Sequence, residues 1–286
     1  MDRNLWLELY NAVFTTDHPG KTTGVTYSDR VIVLVYLWAV GHHKGTVWAC
    51  EPQHWEAWAQ PPELPSQPTM SRRLRTPQVG RLLATIIRLY RGKPGLDWVK
   101  YVDGYPLKVS NYSHDPFATN GYGAGGYYRG YKLHAVWGRA PIPLAFEVRP
   151  ANQAEVCIAR VLVRRLAGAG YLAGDSSFDS NALYEVAGRR HHQLVAPPKR
   201  PGTGLGHKRH AEERLRAREL LSSVFGKALY ATRATIDRWF SRLASVGLGA
   251  LPPWVRRPTR VKRWVQAHLI ILAAQVVSRQ RTRLNE

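Results

Sequence analysis

The segment from Tyr171 to Tyr184 (YLAGDSSFDSNALY) constrains the fold of this chain more than any other. It begins as a short apolar strand that ends on Asp175, passes through a turn of small residues, and opens a helix at Asp179 or Ser180. Asp179 is interpreted as the cap of that helix. A carboxylate at the end of a buried strand costs free energy unless a metal ion, another cation or hydrogen bonds compensate it. The segment therefore predicts a strand–turn–helix unit in which Asp175 has a bound partner.

Two other segments place an acid in comparable surroundings. Asp103 interrupts an apolar-alternating strand, Trp98–Val109 (WVKYVDGYPLKV), and Asp237 lies on a helix predicted within YATRATIDRWFSRL. Carboxylates from two strands and a helix meet the requirements of a two-metal phosphoryl-transfer site, whose ions lie about 3.5–4 Å apart. Asp103, Asp175 and Asp237 are therefore the candidate catalytic and metal-binding residues.

The charge of the chain indicates a polyanionic partner. Lysine and arginine total 41 against 20 for aspartate and glutamate, which gives a formal net charge of +21. A charge of this size determines what a protein binds and leaves its fold open. A membrane surface is the competing partner, but no segment forms a basic amphipathic helix with a lipid-facing stripe.

The sequence favours a cytoplasmic protein, which would act on the nucleoid if its partner is DNA. The longest apolar run, Val31–Val40, is much shorter than the about 20 residues that span a membrane. The first residues carry acids and lack the apolar core of a signal peptide. Cys50 and Cys157 are far apart and unaccompanied, which fits a reducing compartment and no cysteine metal cluster.

Short helices are predicted over the N-terminal third of the chain. Ser28 or Asp29 caps a helix from Arg30 to Val40, which is apolar on nearly all sides and is expected to be buried. A further helix is expected within Thr46–Ala59, where tryptophans mark one packing face.

A short Ser/Arg-rich helix near the end of this region resembles part of a helix-turn-helix arrangement. Thr69 is its predicted cap, and its arginines are Arg72, Arg73 and Arg75. These side chains either contact DNA or are solvated on the surface of a helical cap domain. The argument for DNA contact rests on charge more than on spacing.

From Trp98 onward the pattern changes to strands. Apolar alternation predicts strands in WVKYVDGYPLKV, YKLHAVWG, PLAFEVRP, YLAGD and HQLVAPP, with helices after the third and the fourth. This β-β-β-α-β-α-β order, with acids in the first and fourth strands, predicts an α/β fold: an RNase H-like mixed sheet flanked by helices. A small all-α, helix-turn-helix-like domain precedes it. The predicted domains are residues 1–92 and 96–286, joined through RGKPG.

Five segments follow one another in the order found in a known family. They are VDG around Asp103, RGYKLHAV, PLAFEVRPANQAE, LAGDSSFDSNALY, and a Y-x2-R-x3-E signature that here reads Tyr230, Arg233 and Asp237. From about Tyr101 to Leu272 the chain resembles the DDE transposases of bacterial insertion sequences, in the families conventionally numbered four and five. Five segments in one order are far more specific than any single motif.

The resemblance implies a DNA transposase of an insertion sequence in the bacterial cytoplasm. Asp103, Asp175 and Asp237 would hold two Mg²⁺ ions, for which Mn²⁺ can substitute. One ion would activate water or a DNA 3′-hydroxyl, and the other would stabilise the leaving 3′-oxygen. The implied partners are double-stranded DNA, as terminal inverted repeats and as target, and a second copy of the chain, since two ends must be joined.

The third acid departs from the family pattern. The usual residue is Glu, whereas Asp237 is one methylene shorter, so its helix must lie closer to a bound ion. The lysine that closes the signature would fall at Ala244, and Arg242 is the candidate replacement for that cation. Rival acids lie in charge-mixed stretches, which are typical of solvated faces; they are Glu185, Glu212, Glu213 and Glu219.

Several other residues are candidates for contact with DNA. The resemblance implies that Tyr230 and Arg233, expected on one helix face with Asp237, bind phosphates near the site. The alternative is an ordinary i,i+4 pair between Arg233 and Asp237. The Gly/Tyr-rich hairpin Gly121–Gly130 brings Arg129 to DNA or is a simple flexible turn. A basic, Gly-rich loop contributes the remaining candidates, Lys199, Arg200, Lys208 and Arg209.

Two other functions remain open at this stage. A related RNase H-like nuclease would share the metal site and would cut DNA without joining it. A catalytically decayed transposase would keep only DNA binding, and Asp237 is the feature that favours decay, although all three positions remain acidic.

Overall fold

The computed structural model describes residues 1–18, 24–92, 97–123, 125–200, 202 and 209–285, with side chains as far as residue 283. Contacts between residues divide the chain into two compact units. Unit 1 comprises residues 1–92, 110–116 and 242–286, and unit 2 comprises residues 93–109 and 117–241. The functional division into residues 1–92 and 96–286 stays a prediction.

Helices occupy both ends of the chain, and strands occupy its middle. The helices are α1 (Arg3–Thr15), α2 (Asp29–Gly41), α3 (Thr46–Ala49), α4 (Gln67–Arg73), α5 (Pro77–Arg91), α6 (Glu155–Val163), α7 (Asn181–Gly188), α8 (Glu212–Ser222), α9 (Val224–Ala231), α10 (Ala234–Ser245) and α11 (Pro258–Asn285). The strands are β1 (Val99–Lys108), β2 (Thr119–Gly123), β3 (Gly126–Trp137), β4 (Ala145–Pro150), β5 (Gly170–Ala173) and β6 (His192–Val195). Short 3₁₀ turns lie at Pro52–His54 and Ser176–Phe178.

Capping residues determine where the helices of unit 1 begin. The Ser28 hydroxyl accepts a first-turn backbone N–H at 3.3 Å, so Ser28 rather than Asp29 caps α2. Ser66 is the N-cap residue of α4, so the expectation that Thr69 caps this helix is wrong. Thr69 lies in the first turn instead, directly after Pro68. Proline is tolerated there because the first-turn N–H groups have no intrahelical partner.

The helix expected within Thr46–Ala59 is confined to Thr46–Ala49. Pro52 follows closely, and because proline has no backbone N–H the chain turns into a short 3₁₀ segment there. The tryptophan beyond it still packs as the pattern predicted. Trp55 stacks on Trp38 of α2 with ring centroids 4.6 Å apart.

Unit 1 is held together by packing between helices that are distant in sequence. α11 packs against α1, α2 and α5, although the predicted boundary assigns it to the catalytic domain. α2 buries its side chains from Ile32 to Val40, which confirms the prediction from its all-round apolar pattern. Among the described residues, no helix is long and apolar enough to span a membrane.

A mixed sheet forms the centre of unit 2. Its strand order is β2-β3-β1-β5-β6, and β4 also pairs with β3. β1 runs antiparallel to β3 and parallel to β5, and β5 runs parallel to β6. Gly130 pairs with Thr119 of β2, whereas Tyr131 pairs with Pro150 of β4, so β2 and β4 follow one another along the same edge of β3.

The hairpin of β2 and β3 adds one strand to the predicted β-β-β-α-β-α-β order. It lies in the Gly/Tyr-rich segment, where Gly126 supplies a left-handed turn residue at φ 87°. Behind the sheet, α6 and α7 bury an apolar cluster that includes Val102, Leu172 and Leu194 from the three strands of the parallel part. This packing sets the positions of β1 and β5, which carry Asp103 and lead into Asp175.

Candidate active site

Asp103 and Asp175 occupy matched positions on adjacent strands. β1 and β5 are parallel, and Tyr101 pairs with Ala173 in their register. Each acid lies two residues beyond its member of this pair, so both are on the same face of the sheet. Asp103 lies within β1, and Asp175 caps the 3₁₀ turn that follows β5.

Backbone N–H groups orient both carboxylates. The Gly104 N–H donates to Oδ1 of Asp103 at 2.7 Å, and the Ser177 N–H donates to Oδ1 of Asp175 at 2.8 Å. Burial is the largest influence on Asp103 and raises its pKa to about 7. The Gly104 N–H and Arg233 oppose that shift, whereas the nearby charges of Asp175 and Glu155 add to it. This pocket of acids therefore favours a cation.

Arg233 supplies a cation between two of the predicted acids. Its Nη2 lies 2.8 Å from Oδ2 of Asp103, and its Nη1 lies 3.7 Å from Oδ2 of Asp237. The Asp237 side chain is 58% exposed, whereas that of Asp103 is 14% exposed. The i,i+4 pair between Arg233 and Asp237 is therefore present, and the shorter bond of Arg233 is to Asp103.

Tyr230, Arg233 and Asp237 do not share one continuous helix, so that expectation is wrong. Tyr230 lies on α9, which ends at Ala231, and Asp237 lies in the first turn of α10. Arg233 lies in the turn between them. The Thr232 hydroxyl at this turn donates to the Leu229 carbonyl at 2.6 Å, and such local side-chain bonds compete with helix continuation.

Glu155 belongs to the site and was missed as a functional candidate. It opens α6, and its Oε1 accepts from Nζ of Lys132 at 2.7 Å. Its Oε2 accepts from the Ser177 hydroxyl at 2.8 Å, and the backbone N–H of the same serine binds Asp175. A chain of contacts thus runs from β3 through Glu155 to Asp175. The sequence feature that could have identified Glu155 is its position at the end of PLAFEVRPANQAE, one of the segments that carry the family resemblance.

The site lies within the part of the chain that a known family covers. Residues 94–274 match the family described as the transposase DDE domain. This chain belongs to that family. Its members are DNA transposases, which cleave DNA by phosphoryl transfer and generally use divalent metal ions.

One solved structure provides a more distant comparison. The chain is similar to a cryo-EM structure of a piggyBac transposase synaptic complex with hairpin DNA, at 10% sequence identity and a TM-score of 0.46. This similarity covers 94% of the present chain and 73% of that chain. No curated protein matches the chain.

The donor chemistry of this candidate site fits a divalent cation. Carboxylate oxygens are the ligands that hard ions such as Mg²⁺ prefer, and Asp103 and Asp175 present them from one face of the sheet. Asp237 is held apart from Asp103 by the Arg233 guanidinium. Accordingly, in the described part of the chain no three His, Cys, Asp or Glu side chains are grouped closely enough to hold one ion.

Gly104 is required by the close approach of two side chains. A Cβ at this position would lie 2.8 Å from Cδ of Lys132 and 2.9 Å from Oε1 of Glu155. We expect Gly104→Ala to displace the pair and to lower cleavage about 10- to 100-fold, the usual cost of disturbing residues around metal ligands. Overpacking of this kind also lowers the free energy of unfolding by about 1–3 kcal/mol.

Cleavage rates and urea unfolding of Gly104→Ala check this prediction. Gly249→Ala is the control, because a Cβ at Gly249 meets nothing within 4 Å. Equal activity of the two variants would contradict a positioning role for the Lys132–Glu155 pair.

Asp179 does not cap α7, so that interpretation is wrong. Ser180 is the N-cap residue, and Asp179 instead accepts two bonds from Arg214 of α8, at 2.8 and 2.7 Å. It also accepts the Lys199 backbone N–H at 3.1 Å. Because Asp179 is buried, this bidentate pair compensates its charge and ties α8 to the loop that follows β5.

The remaining DNA-binding candidates lie in different surroundings. Arg73 is the least available of them, because its guanidinium binds Asp29 at 2.7 Å and the Tyr27 carbonyl at 2.7 Å. Tyr230 is half-buried on α9. The exposed candidates are Arg72, Arg75, Arg129, Lys199, Arg200, Arg209 and Arg242. Lys208 lies outside the described residues.

Proposed function

We propose that this chain is the transposase of an insertion sequence, which cleaves DNA at the ends of its element and transfers the strands into target DNA. One observation carries the proposal. Asp103 and Asp175 lie at matched positions on adjacent parallel strands, within a chain of the transposase DDE domain family. The substrate would be the DNA of a bacterial nucleoid.

Strand order supports an RNase H-like catalytic core. β1 lies centrally; on one side it pairs with antiparallel β3, which in turn pairs antiparallel with β4, and on the other side lie β5 and β6, which run parallel to β1. The family's acids then fall on the two central strands that run in the same direction. The hairpin strand β2 is an addition along the edge of β3.

Divalent ions would be held by Asp103 and Asp175, with Asp237 as the proposed third ligand. Bound Mg²⁺ supplies activation of the attacking oxygen and stabilisation of the leaving 3′-oxygen in an in-line displacement at phosphorus. The chain's own contribution is to orient the carboxylates. The Gly104 and Ser177 N–H groups hold Oδ1 of each acid, and Oδ2 of Asp103 accepts from Arg233, which would have to release it before an ion binds there.

Arg233 would bind DNA phosphate in the working complex. Its guanidinium now lies against Asp103, where the acids of the site require a cation. A phosphate is an equivalent bidentate partner for a guanidinium, so Arg233 can move from carboxylate to substrate when another cation neutralises the acids. Tyr230, on the preceding helix, is near the same acids and would adjoin the same phosphates.

The positive charge of the chain predicts DNA binding that weakens steeply with salt. The net charge is +21, and neutralising each phosphate releases counterions from the duplex. Between about 50 and 200 mM salt, we expect the dissociation constant for duplex DNA to rise at least about tenfold. Fluorescence anisotropy at several salt concentrations measures this slope. A flat curve would show that phosphate contacts do not dominate binding.

Joined products distinguish the proposed function from its alternatives. The transposase, incubated with candidate end DNA, target DNA and Mg²⁺, is expected to produce cleaved ends and strands joined to target. A nuclease of the same fold would give cleaved ends alone, and a decayed protein would give neither. Formation of a homodimer, proposed because two ends must be joined, is tested by light scattering of the complex with end DNA.

A further inference from the structure

A cavity of about 520 Å³ lies within unit 1, whereas Asp103, Asp175 and Asp237 belong to unit 2. Its volume is within the range of small-molecule sites, about 300–1,000 Å³. Aromatic and cationic side chains line it together; they include Trp48, Trp254, Lys44, Arg75, Arg260 and Arg263. This combination indicates a ligand with a planar apolar part and a negative charge.

The positive side of the cavity is formed where α11 begins. Arg256 and Arg257 precede this helix, Arg260 lies in its first turn, and that turn contains no acidic residue. A helix N-terminus carries positive partial charge and favours anions, so accumulated arginines are unfavourable there without one. Burial, followed by repulsion from Arg75, Arg257 and Arg256, lowers the pKa of Arg260. An anion bound here would reduce the repulsion between these arginines and would stabilise the charged form of Arg260.

A strained turn at Arg257 immediately precedes α11. Arg257 has a left-handed backbone with φ 72°, which is unfavourable for a side chain of its size. Its N–H donates to Oδ2 of Asp115 at 2.8 Å, and Asp115 is fully buried. Strain of this kind persists where the surrounding structure holds it and is concentrated at functional sites.

The apolar side of the cavity presents aromatic rings and one indole N–H group without a hydrogen-bond acceptor among the described residues. Trp254 is 45% exposed, and Trp48 stacks on His54 with ring centroids 4.7 Å apart. Trp264 also lines the cavity, and its buried indole N–H has no acceptor among the described residues. One acid is present, since Glu51 lines the cavity with its carboxylate 3.4 Å from His54.

We propose that this cavity binds one nucleotide of an unpaired DNA strand. The base packs against Trp254 and Trp48, and the phosphate is held by Arg75 and Arg260 at the start of α11. Every base has an aromatic face, so stacking on indole is tolerant of sequence, and arginine recognises phosphate at a helix N-terminus. The inference rests on the proposed function for the source of the strand, because cleavage and joining expose strand ends.

Binding of a single strand tests the proposal. The probe is a labelled thymidine oligonucleotide of about 12 residues, measured by fluorescence anisotropy with the full chain. Trp254→Ala is expected to weaken binding about 5- to 100-fold, the range for loss of one stacked base, and Trp254→Phe to retain most of the affinity. Binding of a duplex of equal length is expected to change less than about twofold, since its bases are not available for stacking.

The matched control is Trp98→Ala. Trp98 is 74% exposed and belongs to unit 2, so its loss is expected to leave single-strand binding unchanged. Thermal unfolding of each variant confirms that it folds. If Trp254→Ala does not fold, Trp254→Leu provides the test, because leucine fills part of the same space without a ring on which a base can stack, and the same loss of single-strand binding is expected. Three results would overturn the inference. The first is that the ring-deleting variant binds the single strand as tightly as wild type does, and the second is that it loses equal affinity for the single strand and the duplex. The third is that thymidine monophosphate binds the wild-type protein with the same affinity as the oligonucleotide.

The proposed function is tested separately, by measuring cleavage and joining of duplex ends with the wild-type protein. Wild type that joins ends, together with normal single-strand binding by Trp254→Ala, would overturn this inference alone. Wild type that binds the strand through Trp254 and never cleaves a duplex end would overturn the transposase proposal and leave the binding site in place.

Discussion

Asp103→Asn and Asp175→Asn are each expected to abolish cleavage and strand transfer together while leaving duplex binding within about twofold of wild type. Each change removes a charged metal ligand and keeps the size and shape of the side chain. Changes that only disturb the surroundings of a ligand cost about 10- to 100-fold, so loss of a ligand is expected to exceed about 100-fold. Cleaved and joined strands, resolved on one sequencing gel, report both reactions.

Glu185→Gln is the matched control for these variants. Glu185 lies on α7, and its carboxylate is exposed and paired with Arg189 of the same helix. The same loss of charge there is expected to leave both reactions unchanged. A variant at Asp103 or Asp175 that loses one reaction and keeps the other would contradict a single shared site.

Asp103→Asn is also expected to fold at least as well as wild type in the absence of metal. Burial raises the pKa of Asp103 to about 7, so the folded state disfavours the charged form at neutral pH, and a neutral amide avoids that cost. Thermal unfolding therefore separates lost chemistry from lost structure.

The strands and their acids were predictable because their determinants are local. Apolar alternation marks β1, β3 and β4, and the short apolar run before Asp175 marks β5. Asp103 within β1 and Asp175 just after β5 come together because these two strands are parallel neighbours in the sheet. The family resemblance then supplied the order of the segments, and the match over residues 94–274 confirms the family.

Contacts between distant segments could not be predicted from patterns of this kind. Asp179 has the composition of a helix cap, yet its partner is Arg214, which lies on α8 beyond a segment with no strong periodicity. Glu155 lies in the first turn of α6, and only the fold places it against Lys132 and Ser177. The unit 1 cavity combines residues near 45 and near 260, which no sequence spacing connects.

Asp237→Ala is expected to lower cleavage by more than about 100-fold, although Asp237 is the most exposed of the three aspartates proposed as ligands. Arg233 is 2.8 Å from Asp103 and 3.7 Å from Asp237, so the two acids are separated by one guanidinium. When the Arg233 guanidinium leaves Asp103 to bind a DNA phosphate, Asp237, the acid of α10, is available to the ion with its exposed carboxylate. Asp237→Glu is expected to retain part of the activity, because Glu is the family's usual third ligand and reaches one methylene further.

Glu155 is the rival that the structure adds, and its contacts argue for a positioning role. One of its oxygens pairs with Lys132 at 2.7 Å, which compensates its charge, and the other accepts from the Ser177 hydroxyl at 2.8 Å, next to the N–H group that orients Asp175. Glu155→Gln is therefore expected to lose about 10- to 100-fold in cleavage, as changes behind metal ligands do, and to respond to higher Mg²⁺ concentration. Asp237→Ala is expected to recover little at any Mg²⁺ concentration.

The magnesium titration of the two variants decides between them. Glu219→Ala and Glu185→Ala are the controls, since both acids lie in charge-mixed helical segments, and they are expected to cleave as wild type does. If Asp237→Ala cleaves normally and Glu155→Gln is inactive at every concentration, the third ligand is Glu155. In that case the acids come from β1, the turn that follows β5 and the start of α6, and the turn before α10 serves only to carry Arg233 toward the DNA.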